Sequence, residues 1–179
     1  MVPSPSDEPL LALTLWQPWA WCIAHGTKRV ENRNWPPPES LVGQRFAIHA
    51  GRRYDTPGAA SLAARSADFG LLAGQPPGES DIVRGALVAI ARLVGAVRVA
   101  RAPSGAFVAK RWLGELGPDL VREVEQSPWT QGVWGWLLDD VVAIPPIPCP
   151  GNRKLWTVPP QLAAAARAAG SAARSHRTT

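Results

Sequence analysis

The chain alternates short apolar runs with turn residues, and the period of its hydrophobic positions changes from element to element. Leu10–Leu15 reads as a short buried strand. Pro18 suits the first position of a helix, because the N–H it lacks would have no partner there. Gly26 is expected to end that helix as a left-handed cap. On it Trp19, Cys22 and Ile23 fall on one face at i, i+3 and i+4, which predicts a core role for Trp19. Lys28–Trp35 alternates as a strand, and Pro36, Pro37 and Pro38 stop it. Arg45–Ala50 alternates again, with Phe46 and Ile48 on one face and Ala47 and His49 on the other.

Further along, residues 57–73 carry Ala and Leu at helical spacing, and residues 74–80 read as an exposed loop. Gly85–Val99 is a long apolar run with Gly95 near its middle, which predicts one bent or bulged strand. Residues 101–126 form an insertion, helical around Asp119–Glu125. Residues 133–149 predict a strand, a turn at Asp139 and Asp140, and a second strand. Residues 154–159 are expected to close a barrel, and residues 161–179 to form a short Ala-rich helix before fraying. The pattern divides the chain into a disordered leader (1–9), one domain (10–160) and a basic Ala-rich tail (161–179). The class is α+β: a small mixed β-barrel of about six or seven strands, with an early short helix and a crossover helix.

Composition refines this picture in three places. The 19 prolines and 16 glycines favour many short elements over a few long helices. The net charge of +5 is local: Arg153, Lys154, Arg167, Arg174 and Arg177 lie in residues 151–179, which hold no acid. The rest of the chain therefore balances, so the basic excess belongs to the C-terminal segment. Such a tail adds sequence-independent attraction to phosphates or simply keeps the chain soluble. Cys22 and Cys149 have no metal or redox spacing, and a Cys inside an apolar helix behaves as a small hydrophobe. The first residues lack a basic and apolar leader, and residues 10–24 are too short and interrupted to span a bilayer. The expectation is a cytoplasmic protein with no membrane partner.

Four stretches carry a family likeness: LALTLWQPWA (11–20), HGTKRVENR (25–33), FAIHAG (46–51) and the late VWGWLLDDV with LWTV. Together they resemble the ASCH domain (activating signal cointegrator homology), over residues 10–158. The resemblance implies a PUA-like barrel, related to RNA-binding PUA modules and to modified-base readers. It implies a cleft between the early helix and the barrel, fed by the Gly-x-Lys-x-x-Glu-x-Arg segment. One bacterial branch of the family is an amidohydrolase of N4-acetylcytidine that uses a lysine, a threonine and a glutamate. Its lysine matches Lys28, but its threonine falls on Glu31, and its glutamate has no assigned counterpart here.

Lys28, Glu31 and Arg33 lie within six residues. Strict alternation puts Glu31 and Arg33 on one face and Lys28 on the other, unless Lys28 still belongs to the preceding turn. Two readings stay open. The charges pair across an exposed strand face, worth under ~1 kcal/mol, or they share a pocket. A pocket would let Lys28 and Glu31 act as a catalytic pair in a hydrolase or ribonuclease. It would equally let Glu31 accept from a base or ribose while Lys28 and Arg33 hold a phosphate or carbonyl edge. Trp21, off the Trp19 face, and Trp35, at the strand end, are the stacking candidates. Trp134, Trp136 and Trp156 read as packing. Gln17 reads as a cleft residue or a backbone cap, and His49 as a binding residue or a partner of backbone. No metal-ligand spacing, serine-hydrolase elbow or phosphate loop is present, so no metal and no cofactor are expected. The expected partner is RNA, single-stranded nucleic acid or a modified nucleoside. The alternative is a protein-interaction module.

Overall fold

The computed structural model describes residues 8–71 and 75–176. The elements are β1 (Leu11–Gln17), α1 (Trp19–Ala24), β2 (Val30–Arg33), β3 (Arg45–Tyr54), α2 (Thr56–Ala64) and β4 (Ala86–Arg101). They continue with β5 (Phe107–Leu113), α3 (Pro118–Gln126), β6 (Trp134–Pro148), β7 (Leu155–Thr157) and α4 (Pro160–Ser175). Seven strands make one mixed sheet in the order β2-β6-β4-β3-β1-β7, with β5 added to the end of β4. The sheet curls into a half-barrel, the α+β architecture expected of a PUA-like fold.

Alternation explains which face each strand buries. On β3, Phe46, Ile48 and Ala50 enter the main core with Leu13, Leu15, Ile23 and Trp136. Ala47 faces a second core under α4, with Leu87, Ile90 and Trp156. Each fully buried Leu or Ile here stabilises the fold by ~1.5–3 kcal/mol. A third core, under α3, gathers Cys22, Val30, Phe69, Val97, Trp129 and Leu137. Trp19 packs against the first and third cores at once, which is what places α1 at their junction.

Several elements differ from the sequence expectation, each for a physical reason. The strand predicted over Lys28–Trp35 shortens to Val30–Arg33, so Lys28 lies in the turn before it. Helix α1 ends at Ala24 with His25 as its right-handed cap, so Gly26 is not the left-handed cap expected. Gly26 answers a different need, because a Cβ there would stand 2.8 Å from the Cys22 carbonyl. Asp139 and Asp140 do not reverse the chain: β6 continues past them and pairs with β4 on both sides, at Asp139 and again from Val142, and the register shift between them takes up Asp140 at φ 41° as a bulge. The long β4 is one strand whose register to β6 shifts between Leu93 and Gly95, in keeping with the glycine there.

Residues 57–73 hold a helix only to Ala64, followed by turns; positions 72–74, at the end of that stretch and the start of the next loop, lie outside the described residues. The 101–126 insertion contains a strand, β5, as well as the expected helix. Strand β7 does not close the barrel; it extends the sheet beyond β1, and among the described residues no pairing joins it to β2. The Ala-rich helix is 16 residues long and docks Ala163, Ala166 and Gly170 on the sheet. The leader expected at 1–9 lies outside the described residues except for Glu8 and Pro9. Among the described residues, no helix is long and apolar enough to cross a membrane.

Candidate functional site

Glu31 and Arg33 alternate onto one face of β2, and the chain just before the strand folds Lys28 back toward them. The Lys28 Nζ lies 3.1 Å from Glu31 Oε2, and Arg33 Nη2 lies 3.2 Å from Glu31 Oε1. One carboxylate thus bridges two cations. Lys28 is 2% exposed and Glu31 6%, so the pairing is a buried one and the exposed-face reading fails. Lys28 Nζ also donates to the Val30 carbonyl, so two of the three ammonium N–H groups have named partners. Arg33 donates to the Thr14 carbonyl at 3.0 Å, which ties β2 to β1.

Lys28 and Glu31 form part of the wall of a cleft of about 190 Å³. Its other walls are Trp19, Phe69 and Trp129, with the polar side chains of Asn32, Asp55 and Gln131. Asp55 has two duties: it caps α2 by accepting from the Gly58 N–H at 3.0 Å, and it accepts from Trp19 Nε1 at 2.9 Å. Asn32 holds the loop opposite, donating to the Trp129 carbonyl at 2.7 Å and accepting from the Gln131 N–H at 2.8 Å. Thr27 donates to the Phe69 carbonyl at 2.6 Å, fixing the third side. Lys28 Nζ lies 5.8 Å from the Trp129 ring centroid, within cation–π range. Cys22, behind this wall, has its thiol pushed up to about 12 by burial, with the Lys28 charge pulling weakly the other way.

The structure brings only part of the expected set together. Lys28 and Glu31 share the cleft, and Arg33 supports them from behind. Gln17 is turned to backbone outside the cleft, donating to the Val83 carbonyl at 2.6 Å and accepting from the Trp21 N–H at 3.0 Å. Trp21 sits with Gln17 and His25 around a separate cavity of about 160 Å³. Trp35 packs edge-on against Trp136, with ring centroids 4.7 Å apart. His49 faces the core under α4, with Nε2 3.1 Å from the Cys149 carbonyl, and burial lowers its pKa. Among the described residues, no group of three or more His, Cys, Asp or Glu side chains could hold a metal ion.

The aromatic walls are therefore Trp19, Phe69 and Trp129 rather than Trp21 and Trp35. The helix pattern assigns Trp19 to the core; it does pack there, and its edge also lines the cleft. Trp129 had a local signal, since a tryptophan inside the turn-rich run SPWTQG has no strand or helix face to bury. Asp55 had one as well, standing directly before a Thr-Pro helix start.

The crystal structure of ASCH from Zymomonas mobilis is similar to this chain at 17% identity, covering 89% of this chain and 95% of that one, with a TM-score of 0.45. A serine-to-alanine mutant of the Zymomonas mobilis protein gives 17%, 86% and 90%, with a TM-score of 0.42. A tyrosine-to-phenylalanine mutant gives 17%, 85% and 91%, with a TM-score of 0.41. No curated protein matches the chain. The family model of the ASCH domain matches residues 13–103, a span that holds most of β1, all of α1, the Lys28–Glu31–Arg33 trio and Asp55 and covers just over half of the sequence. The chain belongs to the ASCH domain family.

Proposed function

We propose that the cleft takes a single nucleobase, plain or modified, from RNA or another single-stranded nucleic acid. The observation that carries this reading is the buried Lys28–Glu31 pair opening into a cleft with aromatic walls. Removing two charges from water costs several kcal/mol per ion, and well-packed apolar residues often serve stability as well or better. A role in recognition gives the pair a reason to stay. The cleft volume of about 190 Å³ falls below the ~300–1,000 Å³ of pockets that hold drug-sized ligands. It suits one flat heterocycle. Trp19, Phe69 and Trp129 supply π-faces and edges, while Asn32, Gln131 and the third Lys28 N–H offer hydrogen bonds to a base edge.

A second reading rests on the 3.1 Å Lys28–Glu31 contact: two groups at proton-transfer distance in a cleft wall also suit a hydrolase on modified nucleosides or a ribonuclease. One experiment separates the two. The full chain is incubated with a panel of modified nucleosides and short labelled RNAs, with product masses read beside a binding titration. Recognition predicts binding without a mass change, weakened about tenfold or more in Lys28→Met. A product that disappears in Lys28→Met assigns the enzyme instead. Neither binding nor product would refute both.

A further inference from the structure

The sheet carries a second cationic and aromatic surface that meets the cleft residues at Arg33. Register pairing aligns Lys110 on β5 with Arg98 on β4, Arg98 with Trp134 on β6, and Trp134 with Arg33 on β2. Residues paired directly across strands share a face, so these four side chains form one row across the sheet, in which Trp134 is buried in the main core and backs the exposed groups around it. Trp112 joins them. The β4–β5 register steps from Arg111 to Leu113, which leaves Trp112 as the extra residue of a bulge, and a bulge re-aims a side chain. Its ring stands 4.8 Å from that of Trp134, edge to face, and is 56% exposed, the most of any large apolar side chain described. The Arg98 guanidinium lies 5.7 Å from the Trp134 ring on the same face.

Among the described residues, Arg98 and Lys110 have no carboxylate partner, as is also true of Arg52, Arg53 and Arg111; what sets Arg98 and Lys110 apart is their place in one row with Trp134 and beside Trp112. Two unpaired cations beside an exposed indole match an unpaired base with its flanking phosphates. The row ends at Arg33, which is bonded to the same Glu31 carboxylate that lines the cleft.

We infer that the Trp112–Trp134–Arg98–Lys110 face is a second contact for a single nucleic-acid strand, stacking one base and holding adjacent phosphates while another base occupies the cleft. This rests on the cleft reading for its second half, and it makes a strand, not a free nucleoside, the physiological ligand. The test uses the full chain and a labelled mixed-sequence single-stranded RNA, titrated across a salt series. Trp112→Ala is expected to weaken binding about tenfold, and Trp112→Phe to restore most of it. Arg98→Gln with Lys110→Gln should flatten the salt dependence by about 1.4 in log–log slope, at ~0.7 for each phosphate left without its cation. Uptake of free nucleosides should be unchanged in both variants.

Failure of the cleft reading looks different. Lys28→Met would then leave both RNA and nucleoside binding intact, while Trp112→Ala still weakens RNA. The inference itself is overturned if the wild type does not bind RNA, or if either the Trp112→Ala or the double charge variant binds like wild type. It is also overturned if sedimentation shows that Trp112→Ala only splits a dimer and leaves RNA affinity untouched, which would make the face a contact between copies.

Discussion

Glu31 is the hinge of the charge trio, and its replacement separates this account from one in which the charges are ordinary surface pairs. In Glu31→Gln, Lys28 and Arg33 both lose a charged partner, at 3.1 and 3.2 Å, inside a wall where Lys28 is 2% exposed. Removing one member of a buried pair costs ~3–5 kcal/mol, because it strands a charge rather than deleting an attraction. Lys28→Met is milder: Glu31 keeps Arg33, so the cost should be about 2 kcal/mol, mainly from the charged hydrogen bonds that Lys28 no longer makes. For a chain of this size ~1 kcal/mol moves Tm by ~2–4 °C, which predicts drops of about 6–20 °C for Glu31→Gln and 4–8 °C for Lys28→Met. The double variant should cost at least ~1 kcal/mol less than the two singles summed, since the two residues share one interaction. Urea unfolding followed by circular dichroism at a single pH gives all three values. A Glu31→Gln cost equal to or below that of Lys28→Met, or strict additivity, refutes the shared-carboxylate geometry.

Other consequences follow from single contacts. Cys22 and Cys149 are both buried and burial raises both thiols, so a thiol reagent at pH 8 should label neither in the folded protein and both once it is unfolded in urea. A Cβ on Gly151 would stand 2.3 Å from His49 Cε1 and 2.9 Å from Thr14 Oγ1, so Gly151→Ala should cost ~1–3 kcal/mol by thermal unfolding. Gly117→Ala, with nothing in the way, should be close to neutral. His49 is buried with its folded pKa below the ordinary histidine value. Above about pH 6.5 both folded and unfolded forms are neutral there; below it the unfolded chain takes up the proton first. Stability should therefore fall as pH drops from 7 toward 5, and His49→Gln should reduce that slope.

Much of the site's local geometry was legible because it is local. Alternation put Glu31 and Arg33 on one face, and the turn after Gly26 left Lys28 free to join them. The opposite walls were not legible, because they come from far along the chain: Asn32 and Trp129 are 97 residues apart and meet only once β2 pairs with β6. Trp21 and Trp35 shared a sequence neighbourhood with the charges, but one follows the helix away from the cleft and the other turns onto Trp136. The Asp139–Asp140 pair looked like a turn because short acidic residues favour turns, whereas pairing with β4 on both sides keeps β6 one strand and leaves only a bulge at Asp140. Strand β5 was hidden by its bulge, since Lys110, Arg111 and Trp112 are successive exposed residues and break the alternation that marks a strand.

The central claim is that Lys28 acts on a ligand in the cleft and not only on the fold. Its most direct test is an equilibrium titration of labelled single-stranded RNA and of free nucleosides against wild type and Lys28→Met, at a temperature where unfolding curves show both fully folded. The account predicts that Lys28→Met loses about tenfold or more in affinity for whichever nucleosides the wild type binds, and weakens RNA binding with them. Equal affinity in the two folded proteins would contradict it.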